Sequence, residues 1–304
     1  MTRLLIATYN YEAGGYRDGT FNMRPLQQTF AALDVPPAII LFCEAKHYRR
    51  NQHEGLRLAE KALTEVHHAP YTGLLGTSQH GPIPPAIFYN ANLVTHLAWP
   101  GDDPHDPDVF PDKRNVGRFR VNTTGAEFGT WVAHFNSRSG ATRLEEAKLI
   151  DRYGNDPLPF IGGGDLNSTA SGGHLPQRDW HAANHHIRTH KGKRIDDGTP
   201  EGHWEADTDA LDHLIGRWDS ISNRRLDGAG YHAVAELAWL ANPDFVIAPT
   251  VIDKPGEGGP DLIDYLLVNN ALRPHVIPSS YQVHIPDGPP FPSDHHLVTA
   301  TIDL

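Results

Sequence analysis

The chain has 304 residues, is 39% hydrophobic, carries a formal net charge of −11 and contains one cysteine. That length and apolar share allow a substantial buried core. No run approaches the roughly 18 apolar residues of a bilayer span, and a single cysteine excludes an intramolecular disulfide. The acidic balance disfavours coating of nucleic acid by bulk electrostatics. It leaves room for phosphate chemistry, because carboxylates that hold a divalent cation are themselves acidic and the metal brings the positive charge.

The N-terminal Leu4-Leu5-Ile6 is too short for a signal-peptide core and reads as the start of a first strand, residues 4–10, which points to the cytoplasm. A second strand, 38–44, contains Cys43, expected to be a buried small hydrophobe rather than a nucleophile. Leu56, Ala59, Leu63 and Val66 recur at helical spacing and predict a helix over 54–67. Strands are expected at 86–89, 93–99, 117–122 and 127–135, the last two joined by a turn at Asn122-Thr123-Thr124-Gly125, with an exposed proline-rich loop at 104–111. A helix over 141–153, with Thr142 as its cap, precedes a strand over 159–163. Two further helices, 208–217 and 231–240, and strands at 262–268, 281–285 and 297–304 complete the chain. Strands and helices mix throughout with many hairpin-like neighbours. The expectation is one domain, 1–304, of packed α and β layers with extensive antiparallel pairing.

Polar clusters interrupt this pattern where strands end. Asn10 closes the first strand and is followed by Glu12, Glu44 closes the second, and His134 and Asn136 close a third. Asp165 and Asn167 follow Gly162-Gly163-Gly164, which by itself could be a flexible turn. Asp294 and His295 precede the last strand. Asp264 lies inside the apolar Leu262-Ile263-Asp264-Tyr265-Leu266, where an unpaired charge would be prohibitively costly, so a partner is expected. Acids at strand ends suit a site built on a rigid sheet, and Asp, Glu and Asn oxygens suit a hard cation.

Asn10, Glu44, His134-Phe135-Asn136, Gly164-Asp165-Leu166-Asn167, Ile263-Asp264-Tyr265 and Ser293-Asp294-His295 together resemble the endonuclease/exonuclease/phosphatase family. The resemblance implies a four-layered α/β sandwich, with two central mixed and mostly antiparallel sheets flanked by helices. It also implies hydrolysis of a phosphate ester by a metal-activated water, with Mg2+ as cofactor and Mn2+ able to substitute. Glu44 would be the principal metal ligand, with Asn10 and Asp294 near the metal. Asp165 would orient or deprotonate the water, Asn167 would bond a phosphate oxygen, and Asp264 would hold His295. His134 would bind the phosphate or assist the leaving oxygen, with Asn136 on the substrate side.

The stretch 172–260 is the least family-like and is read as a variable, substrate-facing insertion. His181 and His185 have i, i+4 spacing but lack the glutamate of a helical zinc motif. Arg188, Lys191, Lys193 and Arg194 are candidate contacts to a phosphate backbone. The resulting expectation is a nuclease that cleaves phosphodiesters in nucleic acid, without a membrane partner. The alternative is a phosphatase or phosphodiesterase for a small or lipid phosphate. The intact set of acids and histidines weighs against a third reading, a catalytically inactive binding protein.

Overall fold

The alternation of the first strand fixes both of its neighbours. In β1 (Arg3–Asn10), Leu4 and Ile6 enter one apolar cluster, while Ala7 and Tyr9 enter another on the opposite face. The same division holds in β2 (Ile39–Cys43), where Ile39, Leu41 and Cys43 face one way and Ile40 and Phe42 the other. Both strands are buried on two sides. They therefore read as continuous apolar runs.

The computed structural model describes residues 1–78, 83–100, 109–199 and 202–304; most of the expected loop at 104–111 lies outside them. After β3 (Tyr71–Leu75) and β4 (Ala86–Asn90), the chain builds a second sheet from β5 (Val94–Ala98), β6 (Val116–Val121), β7 (Glu127–Val132), β8 (Phe160–Asp165), β9 (Tyr231–Ala233) and β10 (Asp264–Asn269). It then returns to the first with β11 (Val276–His284) and β12 (Leu297–Asp303). The strand orders are β11-β12-β1-β2-β4-β3 and β9-β10-β8-β7-β6-β5. The sheets pack face to face across the larger cluster, which takes Leu4 and Leu41 from one and Phe128, Trp131 and Leu267 from the other.

Each sheet is antiparallel except for one central pair, β1 with β2 and β7 with β8. The four parallel strands therefore end at one rim. β10 and β12, which run antiparallel to β8 and β1, begin there. The rim is where the polar clusters of the sequence lie.

Helix α1 (Arg24–Phe30) and helix α2 (Arg50–His67) cover the outer face of the first sheet through Leu26, Phe30, Leu56, Ala59 and Leu63. Asn51, Gln52 and His53 have positive φ, so regular α2 begins near Glu54, where the apolar periodicity starts. On the second sheet lie α3 (Gly140–Ile150), α5 (Asp209–Ile215) and α6 (Val234–Ala241), with Ala147, Leu211, Leu214 and Ala238 in the core. Ser139, not Thr142, caps α3, its Oγ accepting from the Thr142 N–H at 3.2 Å. Among the described residues, no helix is long and apolar enough to cross a membrane.

Two open readings are decided and one expectation is corrected. Gly162–Gly164 is no turn: all three lie in β8, where a Cβ on Gly163 would sit 1.9 Å from the Tyr265 carbonyl and one on Gly164 2.0 Å from that of Ala133. Residues 231–233 are strand, not helix, because β10 offers them an open edge that a local pattern cannot reveal. Helix α4 (His185–Lys191) starts after Asn184, whose side chain caps it at 3.0 Å, so His181 and His185 are not a helical pair.

Candidate active site

At the shared rim, strand register does the first part of the work. β8 and β10 pair so that Asp165 stands opposite Asp264. His295 sits just before β12, tied by a bridge to Val251, and its Nδ1 meets Asp264 Oδ2 at 2.8 Å. This is the partner that the buried acid requires. The Asp264 N–H donates to Thr250 Oγ1 at 3.0 Å, and its side chain is fully buried. Burial alone would pull the His295 imidazole down, but the carboxylates of Asp264 and Asp165 outweigh it and push its pKa up to about 10. With Nδ1 engaged by Asp264, Nε2 faces Asp165 Oδ2 at 3.7 Å.

Asp165 is the hub of the cleft. Its Oδ2 receives Asn10 Nδ2 at 2.9 Å and lies 3.4 Å from His134 Nε2, while Oδ1 accepts the Asn167 N–H at 2.9 Å. Burial would raise its pKa, yet His295 and His134 win and hold it well below the usual carboxylate range. Burial likewise acts to lower His134, and its bond to Asp165 overrides this and raises it. Asp165 is thus a fixed carboxylate between two imidazole rings, both of whose pKa values are raised.

Asn167 is pinned at both ends. Its Nδ2 donates to the Phe135 carbonyl at 3.0 Å, and its Oδ1 accepts from Lys191 Nζ, which also reaches the Asn167 carbonyl at 3.2 Å. Its φ of 49° lies in the left-handed region, which asparagine tolerates better than most residues. Burial lowers the Lys191 ammonium to about 8 against the pull of Asp165.

Glu44 leaves β2 with a φ of 65°, a conformation rare for a side-chain-bearing residue. Its Oε2 accepts the Ala13 N–H at 2.7 Å, and Oε1 lies 3.5 Å from Asn10 Nδ2. Asn10 Oδ1 is buried without a hydrogen-bond partner. An orphaned amide oxygen beside a partly exposed glutamate fits a hard divalent cation, which takes oxygen ligands. Asp165, Asp264 and His295 also place ligating atoms within 4.8 Å of one another. Since His295 bonds one acid and carries a proton, that trio is better read as a hydrogen-bonded relay than as a ligand set.

Glu44, Ser78, His134, Asn136, Arg138, Asp165, Asn167 and His295 line a cleft of about 490 Å³. The structure does not bring every sequence candidate into it. Asp294 Oδ2 pairs with Lys254 at 2.7 Å and does not line the cleft. Asn136 lines the cleft, but its Oδ1 is spent on the Arg138 and Ser139 N–H groups, turning the chain into α3. Arg188 is bonded to the Trp180 and His181 carbonyls. Lys193 pairs with Asp209 and with Asp207. Arg194 is exposed in the strand Gly192–Ile195. Sequence reasoning missed Arg138, whose signal was its place two residues after Asn136, and Ala13 and Thr250, whose roles depend on long-range contacts. Cys43 is fully buried, with its thiol pushed up by burial, as a structural residue should be.

Comparison with curated proteins finds no sequence match. Among solved structures, D. rerio TDP2 complexed with single strand DNA product is similar at a TM-score of 0.57 and 13% identity, covering 100% of both chains. An AP endonuclease from Archaeoglobus fulgidus has a TM-score of 0.55 and 15% identity, covering 99% of this chain and 100% of that one. A mannosyl-6-phosphatase of Bacteroides thetaiotaomicron has a TM-score of 0.53 and 16% identity, again covering 99% and 100%. At these identities the likeness speaks for the fold. The model of the Endonuclease/Exonuclease/phosphatase family matches residues 10–295, a span that runs from Asn10 to His295. The chain therefore belongs to the endonuclease/exonuclease/phosphatase family of hydrolytic, generally divalent-metal-dependent phosphoesterases.

Proposed function

We propose that this phosphoesterase cleaves phosphodiester bonds with Mg2+, replaceable by Mn2+, and that nucleic acid is its substrate. The observation that carries the reading is the chain of contacts from Asp264 through His295 to Asp165, with Asn10 and Glu44 alongside, in one cleft. Asn10 and Glu44 would hold the cation, which supplies positive charge to the phosphate oxygens and raises the acidity of water.

The chain's own residues divide the remaining work. Asp165, held ionised by its two histidines, accepts a hydrogen bond from the attacking water and orients it. So acidic a carboxylate is better suited to positioning than to strong general-base action. His295 holds its proton at Nε2, where it donates to the phosphate as negative charge accumulates. Asp264 fixes its tautomer and direction. The raised pKa of His134 suits it to bind a phosphate oxygen or protonate the departing one. Asn167 offers an amide N–H to a phosphate oxygen.

A second reading, a small-molecule phosphate as substrate, is favoured by one observation. Arg188 and Lys193 are engaged within the protein rather than aligned as a strip for a polymer. A panel of supercoiled DNA, single-stranded DNA, RNA and phosphomonoesters, each with Mg2+, Mn2+ or chelator, tests both. Turnover of nucleic acid that stops on chelation supports the first reading, and turnover of monoesters alone replaces it with the second.

A further inference from the structure

We infer that Lys191 is a positioning residue for this hydrolysis, its ammonium locking the Asn167 amide in the one orientation that presents an N–H to the substrate phosphate. The inference rests on the phosphoesterase reading above. Each end of the Asn167 amide meets a partner of fixed character. Lys191 Nζ donates to Oδ1, and the Phe135 carbonyl accepts from Nδ2 at 3.0 Å. An ammonium has no lone pair and a carbonyl has no proton, so a flipped amide would set donor against donor and acceptor against acceptor. One N–H therefore goes to Phe135. The other remains for the cleft, which Asn167 lines.

The clamp is itself held in place. The Asp207 N–H donates to the Lys191 carbonyl at 2.9 Å, and buried Arg143 donates to the His190 carbonyl at 3.0 Å and to that of Asn136 at 3.2 Å. Ile187 anchors α4 in the interior. The C-terminal end of α4 is thus tied to the loop that carries His134 and Asn136. Of the basic residues near α4, Lys191 turns inward while Arg188 and Lys193 bond elsewhere. Without the clamp, only the Phe135 carbonyl holds the amide, and any rotation of its oxygen toward an anionic phosphate costs both a donor and a repulsion.

The test uses the full-length protein with Mn2+ and bis(4-nitrophenyl) phosphate. K191M keeps the length of the stem and removes the ammonium; kcat is expected to fall about 10- to 100-fold with KM changed less than about threefold. Its Tm does not discriminate, since a half-buried charge is removed while the Asn167 Oδ1 and carbonyl lose their donor. Methylammonium should restore part of the lost rate to K191A, and K191M/N167A should be no slower than N167A. Full kcat in K191M, or losses that multiply in the double variant, would overturn the inference. A lysine with a merely structural role would give no amine rescue. A second readout needs no turnover: the side-chain amide NMR signals of Asn167, assigned by their loss in N167A, should shift in K191M. Unchanged signals would overturn the clamp, whereas an inactive wild-type protein whose signals do shift would overturn only the phosphoesterase reading.

Discussion

What surrounds His295 sets the charge of its ring. Its imidazole is buried, which by itself favours the neutral ring, and it is charged only because Asp264 and Asp165 face it. In metal-free protein the His295 ring should accordingly stay protonated through pH 8 and lose its proton near pH 10, as followed by NMR of the ring carbons. D264N should bring that titration down, because the carboxylate that raises it is gone; a ring that titrates near 6.5 in the wild type would rule out the charged relay. The kinetic counterpart is equally specific. H295A should lose turnover by on the order of 10² to 10⁴ while remaining folded. D264N should lose a substantial part of it, since an amide can support the wrong tautomer. Because the two act as one unit, D264N/H295A should be little slower than H295A, and multiplicative losses would separate them.

At the scale of the element, β8 shows how a site is placed by packing rather than by loop design. Gly163 and Gly164 let the strand pass beneath the Tyr265 and Ala133 carbonyls, so that Asp165 emerges at the rim beside Asn10 and opposite Asp264. G163A should destabilise the protein by about 1–3 kcal/mol or more, because its Cβ would meet backbone that cannot rotate away. Urea unfolding monitored by tryptophan fluorescence measures this, and an unchanged midpoint would mean that β8 is not confined as described. The parallel pairs β1–β2 and β7–β8 matter for the same reason: their common direction brings Asn10, Glu44, His134 and Asp165 to one edge.

For the whole molecule, two sheets joined across one core make a rigid frame whose rim gathers Asn10, Glu44, His134 and Asp165 from four separate strand ends. Activity should therefore vanish on chelation and return with Mg2+ or Mn2+. E44Q should raise the metal concentration for half-maximal rate about tenfold or more with little change in Tm, because one charged ligand is replaced by a neutral one. Unaltered metal dependence in E44Q would move the cation away from Glu44. The acidic surface, with a net charge of −11, makes a further prediction. If nucleic acid is the substrate, neutralising Arg188, Lys193 and Arg194 should leave the salt slope of DNA binding nearly unchanged, since Arg188 and Lys193 already bond within the protein. A slope that flattens would return them to the substrate path.

The sequence by itself determined the layered α/β class, the central strands and the identity of the candidate site residues. Apolar runs closed by Asn10, Glu44 and Asp165 are local patterns, and Asp264 inside an apolar strand announces a partner without knowing its position. What tertiary structure alone decided was non-local. The open edge of β10 turned residues 231–233 into a strand, and strand direction brought six clusters to one rim. Long-range hydrogen bonds sent Lys191 to Asn167 and Lys254 to Asp294. A chain records which residues are polar and how they recur, whereas the partner each one meets depends on segments that are distant in sequence and become neighbours only when the sheets pack.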